Sequence, residues 1–119
     1  MPTILLIEDD PAVSQVIVEH LSEAGFAISS ESDTSVALAN TEVLERADLL
    51  LVDLVMPTGQ PNGLEFATAA RAKVPDLPII FITGYYGFVA RAGTLPGTVL
   101  YKPVDLEALT HEINSSLGL

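Results

Sequence analysis

The sequence predicts an α/β fold with a doubly wound, five-stranded parallel sheet. Two observations predict it. Short apolar runs alternate with stretches of helical periodicity along the whole chain. The strongest runs, TILLI, LLLV and PIIFI, are continuously apolar rather than alternating, as strands buried on both faces are. The 119 residues suit one domain and, at 49% hydrophobic, can build a core.

The elements follow in order. Thr3–Ile7 is the first strand and stops at Glu8, Asp9 and Asp10. Pro11 follows, so Asp10 reads as an N-cap and Pro11 as the first helical residue. Val13, Val16, Ile17, Leu21 and Ala24 recur at helical spacing, and Gly25 ends that helix. Ala27–Ser30 is a weaker strand. Residues Thr34 to Leu44 read as one helix with Val36, Leu38, Ala39 and Val43 on its apolar positions. Leu49–Val52 is the next buried strand, closed by Asp53. TGQPN is a loop, and Gly63 opens a helix with Leu64, Ala67, Ala70 and Val74. Pro78–Ile82 is a strand closed by Thr83 and Gly84. Between Tyr85 and Gly97, Gly87, Gly93, Pro96 and Gly97 oppose a long helix, so the fourth helix is expected to be short or irregular. Val99–Tyr101 is the last strand. Asp105 caps a helix with Leu106, Leu109, Ile113 and Leu117 on one face. Five strands and about five helices suit the flavodoxin-like order 2-1-3-4-5.

Composition narrows the function. The net charge is −11, with two lysines and three arginines, which argues against nucleic-acid binding. There is no cysteine, hence no disulfide framework or thiolate metal site. No apolar stretch reaches the roughly 18 residues of a membrane helix. The N-terminal residues lack a positive n-region, and the chain is read as cytoplasmic.

In a doubly wound sheet, ligands bind beyond the carboxyl ends of the strands, at the switch point between the first and third. Glu8 and Asp9 end the first strand and Asp53 ends the third. Like charges about 4 Å apart repel by roughly 4 kcal/mol at an effective dielectric near 20. A divalent cation removes that cost, and an all-oxygen donor set calls for a hard ion, Mg²⁺. Thr83 ends the fourth strand and Lys102 follows the fifth. Acid, acid, hydroxyl and ammonium thus each close a different strand. That set suits phosphoryl transfer: a carboxylate nucleophile at Asp53, a hydroxyl donor and a cation for phosphoryl oxygens.

On the segments ILLIEDDP, LLLVDLVMP, NGLEF, PIIFITGY and YKPVDLEAL, the chain closely resembles the response-regulator receiver family, the CheY-like phosphoacceptors of two-component signalling. The resemblance implies that Asp53 is phosphorylated and that Asp9 and Glu8, with the Val55 carbonyl, serve Mg²⁺. It also implies that Thr83 and Lys102 serve the phosphoryl group and that the Lys102–Pro103 bond is cis. The implied donor is a phosphohistidine on a histidine kinase or a histidine phosphotransfer protein, and a homodimer is compatible with the family. FITGYYG and LPGTVLYKP look like receivers of hybrid kinases and also like some single-domain regulators.

The chain departs from the family in places. Val99 stands where many receivers carry an aromatic switch residue, and Tyr101, one before Lys102, is expected to pack against a helix. Tyr85, Tyr86 and Phe88 suit either packing or a partner surface. PTGQPNG is long for the loop after the acceptor, most simply a tolerated insertion. Val55 and Tyr85 flank the family's path for attacking water, and neither orients water by charge, so a persistent phosphoryl group is expected. His20 and His111 are expected to be solvated. Two other readings stand beside this one. A haloacid-dehalogenase-like phosphatase also uses a strand-end Asp with Mg²⁺, but needs a second Asp where Val55 stands. A degenerate receiver would serve only for docking.

Overall fold

The computed structural model describes residues 1–84 and 95–119. Five parallel strands form one sheet: β1 (Thr3–Ile7), β2 (Ala27–Glu31), β3 (Leu49–Asp53), β4 (Ile79–Thr83) and β5 (Thr98–Tyr101), in the order 2-1-3-4-5. The expected order and strands are therefore met. The segment in which a short or irregular helix is expected after Thr83, and with it Tyr85, Tyr86 and Phe88, lies outside the described residues.

Alternation along the three central strands builds two cores. Leu5, Ile7, Leu50, Val52 and Phe81 point to one face. There they pack under α2 (Thr34–Ala39), α3 (Thr41–Arg46) and α4 (Gly63–Lys73), which contribute Ala37, Leu44, Phe66, Ala67 and Ala70. Ile4, Leu6, Leu49, Leu51, Ile80 and Ile82 point to the other face. They meet Ile17 and Leu21 of α1 (Pro11–Glu23), and Leu109 and Ile113 of α5 (Leu106–Leu117). Each such fully buried aliphatic or aromatic side chain contributes about 1.5–3 kcal/mol. Covering both faces explains why the strands carry no polar alternation.

Helix ends follow the predicted chemistry. The Asp10 carboxylate accepts from the amides of Ala12 and Val13, and Asp105 does the same for Glu107 and Ala108. Asn62 and Glu65 form a reciprocal capping box at α4. Gly25, at φ 97°, turns the chain out of α1 where a side chain would be strained.

Three expectations need correction. The single helix over Thr34–Leu44 is two short helices. Asn40 takes φ −100° and ψ 74°, and its side chain accepts from Val43 N–H, so it ends α2 and caps α3. Lys73 donates to the Leu38 carbonyl at 3.1 Å, near the end of α2. A short polar residue that offers the backbone a competing acceptor breaks the helix there. Val16, expected on the apolar stripe of α1, is 51% exposed. His20, expected in solvent, is half-buried and hydrogen-bonds through Nε2 to Thr110 Oγ1 at 3.0 Å, joining α1 to α5. His111 is exposed.

Candidate functional site

Strand register sets the positions. Ile7 pairs with Val52, so Glu8 comes level with Asp53. Asp53 pairs with Ile82 and Thr83 with Tyr101, so Thr83 and Lys102 lie successively further out along the carboxyl edge. The long Lys102 side chain spans the remaining gap. Its Nζ lies 2.7 Å from Glu8 Oε1 and 2.9 Å from Asp53 Oδ2. The other Asp53 oxygen, Oδ1, accepts from Val55 N–H at 3.0 Å. Both oxygens of this carboxylate are thus oriented from fixed directions.

Glu8 and Asp53 are almost wholly buried, Thr83 is fully buried and Asp9 is exposed. Carboxylate oxygens of Glu8, Asp9 and Asp53 lie within 4.8 Å of one another. Burial pushes the Glu8 carboxyl up to about 7, helped by its contact with the Asp53 carboxylate and only partly opposed by Lys102. Burial pulls the Lys102 ammonium down, but Glu8 and Asp53 outweigh it and hold Lys102 above its ordinary value. One cation between two carboxylates leaves a negative excess. The buried Glu8 Oε1 has the Lys102 ammonium as its partner, and Lys102 is shared with Asp53. Three carboxylates that share a single ammonium fit a hard divalent cation, and Mg²⁺ matches the all-oxygen set.

The structure gathers Glu8, Asp9, Asp53 and Lys102 at one corner, with the Val55 amide on Asp53 and Thr83 at the neighbouring strand end, where the Thr83 carbonyl accepts from Lys102 N–H at 2.8 Å. The Lys102–Pro103 bond is cis. Val99 is half-buried against the α2–α4 side of the core, and Tyr101 is exposed at 37%. Tyr85 lies outside the described residues.

Two features were not foreseen. Gly63 sits against the Asp53 main chain: a Cβ there would come 2.1 Å from the Asp53 carbonyl oxygen, so glycine alone fits. Its place at the head of α4 was legible, its contact was not. The loop after Asp53 is also held at Thr34, where Gln60 Oε1 and the Pro61 carbonyl accept hydrogen bonds.

The sequence profile of the response regulator receiver domain matches residues 4–114. The chain belongs to the response regulator receiver family. This receiver is 34% identical to the response regulator receiver protein CpdR of Brucella abortus, over 98% of each chain. It spans about half the length of several other curated relatives it matches. Among solved structures it superposes on the receiver domain of the hybrid histidine kinase CckA with a TM-score of 0.81 at 29% identity, covering 97% of this chain and 98% of that one. The response regulator TrrA of Thermotoga maritima, solved in complex with Mg²⁺-BeF, gives a TM-score of 0.83 at 26% identity, covering 98% and 100%. The receiver's class of work is two-component phosphorelay signalling, which engages a histidine kinase or phosphotransfer partner. Nothing in these similarities supports the dehalogenase-like phosphatase. No helix among the described residues is long and apolar enough to cross a membrane.

Proposed function

We propose that this receiver takes a phosphoryl group from a phosphohistidine onto the Asp53 carboxylate and signals by the change that follows at its surface. The observation that carries the reading is the buried Asp53 carboxylate, ion-paired through Oδ2 to Lys102 and held within 4.8 Å of the Glu8 and Asp9 carboxylates. An Asp53 oxygen attacks phosphorus. The new O–P bond forms as the N–P bond breaks, and the imidazole leaves with the bonding pair. Lys102, already within 2.9 Å of Asp53 Oδ2, neutralises a phosphoryl oxygen, and the Thr83 hydroxyl donates to another. Glu8, Asp9, Asp53 and the Val55 carbonyl would hold Mg²⁺, which supplies charge neutralisation for the incoming group. The chain then acts on itself rather than turning over an external substrate, and its overall acidity disfavours nucleic acid as a direct partner.

The TrrA structure with Mg²⁺-BeF supports the same reading for a relative of this fold. Incubation with Mg²⁺ and a phosphohistidine donor should give a hydroxylamine-labile label that maps to Asp53. A label on another residue, or steady hydrolysis of phosphate esters, would overturn the proposal.

A further inference from the structure

We propose that Thr34 and Gln60 are positioning residues for the phosphoacceptor: they clamp the long loop after Asp53 so that the Val55 amide stays on Asp53 Oδ1. The inference rests on Asp53 being the acceptor. The loop leaves β3 and returns to the same point, because Gly63 N–H donates to the Leu54 carbonyl at 3.0 Å. With its ends joined, the loop body needs a separate anchor, and Thr34 supplies it.

Thr34 is fully buried at the start of α2. Its amide donates to Gln60 Oε1 at 2.8 Å. Its hydroxyl donates to the Pro61 carbonyl at 2.6 Å, with Gln60 Oε1 also at 3.1 Å. The partnership has a local cause. The Asp33 carboxylate caps α2 by taking the amides of Ser35 and Val36, which leaves the Thr34 amide for a partner from elsewhere. Gln60, twenty-six residues away, is that partner.

The anchor is tied to the acid corner from both sides. Glu8 N–H donates to the Glu31 carbonyl at 3.1 Å, and the Glu31 carboxylate holds the turn into α2 through the amides of Ser32 and Asp33. At the near end of the loop, the Val55 side chain is 45% exposed and offers little packing to fix its own amide. The clamp on Gln60 and Pro61 fixes the return of the loop to Gly63, whose N–H holds the Leu54 carbonyl; that carbonyl shares one planar peptide with the Val55 N–H, so the clamp acts on the Val55 N–H through Gly63. On this proposal the long loop works as a strut.

Amide exchange resolved by residue, together with phosphoryl labelling, tests this in the full chain. Gln60→Ala should speed exchange at Val55 about tenfold, with Leu51 and Val52 in β3 unchanged, and slow labelling about fivefold. Thr34→Val should move both in the same direction, and Thr34→Ser, which keeps the hydroxyl, should restore them. Unchanged Val55 exchange in both Gln60→Ala and Thr34→Val would overturn the inference. So would equal loosening of β3, which would mean a general loss of fold. An unaltered chain that takes no phosphoryl group would overturn the acceptor reading itself, whatever Val55 does.

Discussion

The same residue type does opposite things in two regions of this receiver. At the helix starts, Asp10, Asp33 and Asp105 each accept two backbone amides, which satisfies groups a helix cannot satisfy itself. At the strand ends, carboxylate oxygens of Glu8, Asp9 and Asp53 crowd within 4.8 Å, with one ammonium shared between Glu8 and Asp53. A fold that caps its helices so fully leaves acceptors in excess at one corner. The difference teaches that the net charge of −11 is not uniform decoration. Most acids are solvated or capping, and a few are set against one another where a cation and a phosphoryl group would relieve them.

The comparison breaks most sharply at Asp53. Asp53→Asn should abolish labelling, whereas Asp105→Asn, which keeps a capping oxygen, should leave it intact. Peptide mapping after reaction with Mg²⁺ and a phosphoryl donor reads both. The label on the unaltered chain should last for minutes, because Val55 brings no charge to orient an attacking water; loss within seconds in a pulse-chase would contradict that.

Removing the ammonium comes next in size. Lys102→Met leaves the two buried carboxylates facing each other and should cost about 2 kcal/mol at pH 8, measured by denaturant unfolding without metal. The cost should shrink at pH 5, where Glu8 carries a proton.

The pH dependence of stability sharpens the electrostatics. The folded Glu8 carboxyl sits at about 7, above its ordinary 4.5. Between those values the folded chain binds more protons than the unfolded one. Stability in metal-free buffer should therefore fall as pH rises through that window, then level off above it. The melting temperature should drop by about 5 °C or more from pH 5 to pH 8. Glu8→Gln should flatten this part of the profile, and saturating Mg²⁺ should oppose the drop. Losing a cap is the smallest change: Asp105→Ala should cost about 1 kcal/mol and leave Mg²⁺ affinity untouched.

Much of this arrangement was legible in the sequence because each strand-end polar residue interrupts or follows an apolar run. Asp53 after LLLV and Thr83 after PIIFI stand out for that reason, and the alternation of elements supplied the order that brings them together. Other features carried no such signal. The break at Asn40 lies inside a stretch whose apolar spacing is helical throughout, so periodicity ran across it. The contact between Thr34 and Gln60 joins two polar residues far apart in the chain, where neither spacing nor hydropathy marks a partner. The bond from His20 to Thr110 depends on how α1 and α5 pack, which the two helices do not reveal separately.

The most direct test of the central claim is an amide-shift titration of the metal-free protein with Mg²⁺. Shifts should saturate as a single event and concentrate at residues 8–10, 53–55 and 102. Shifts spread over the capping aspartates 33 and 105, or no saturable response at all, would contradict the claim that the strand-end acids form one cation site.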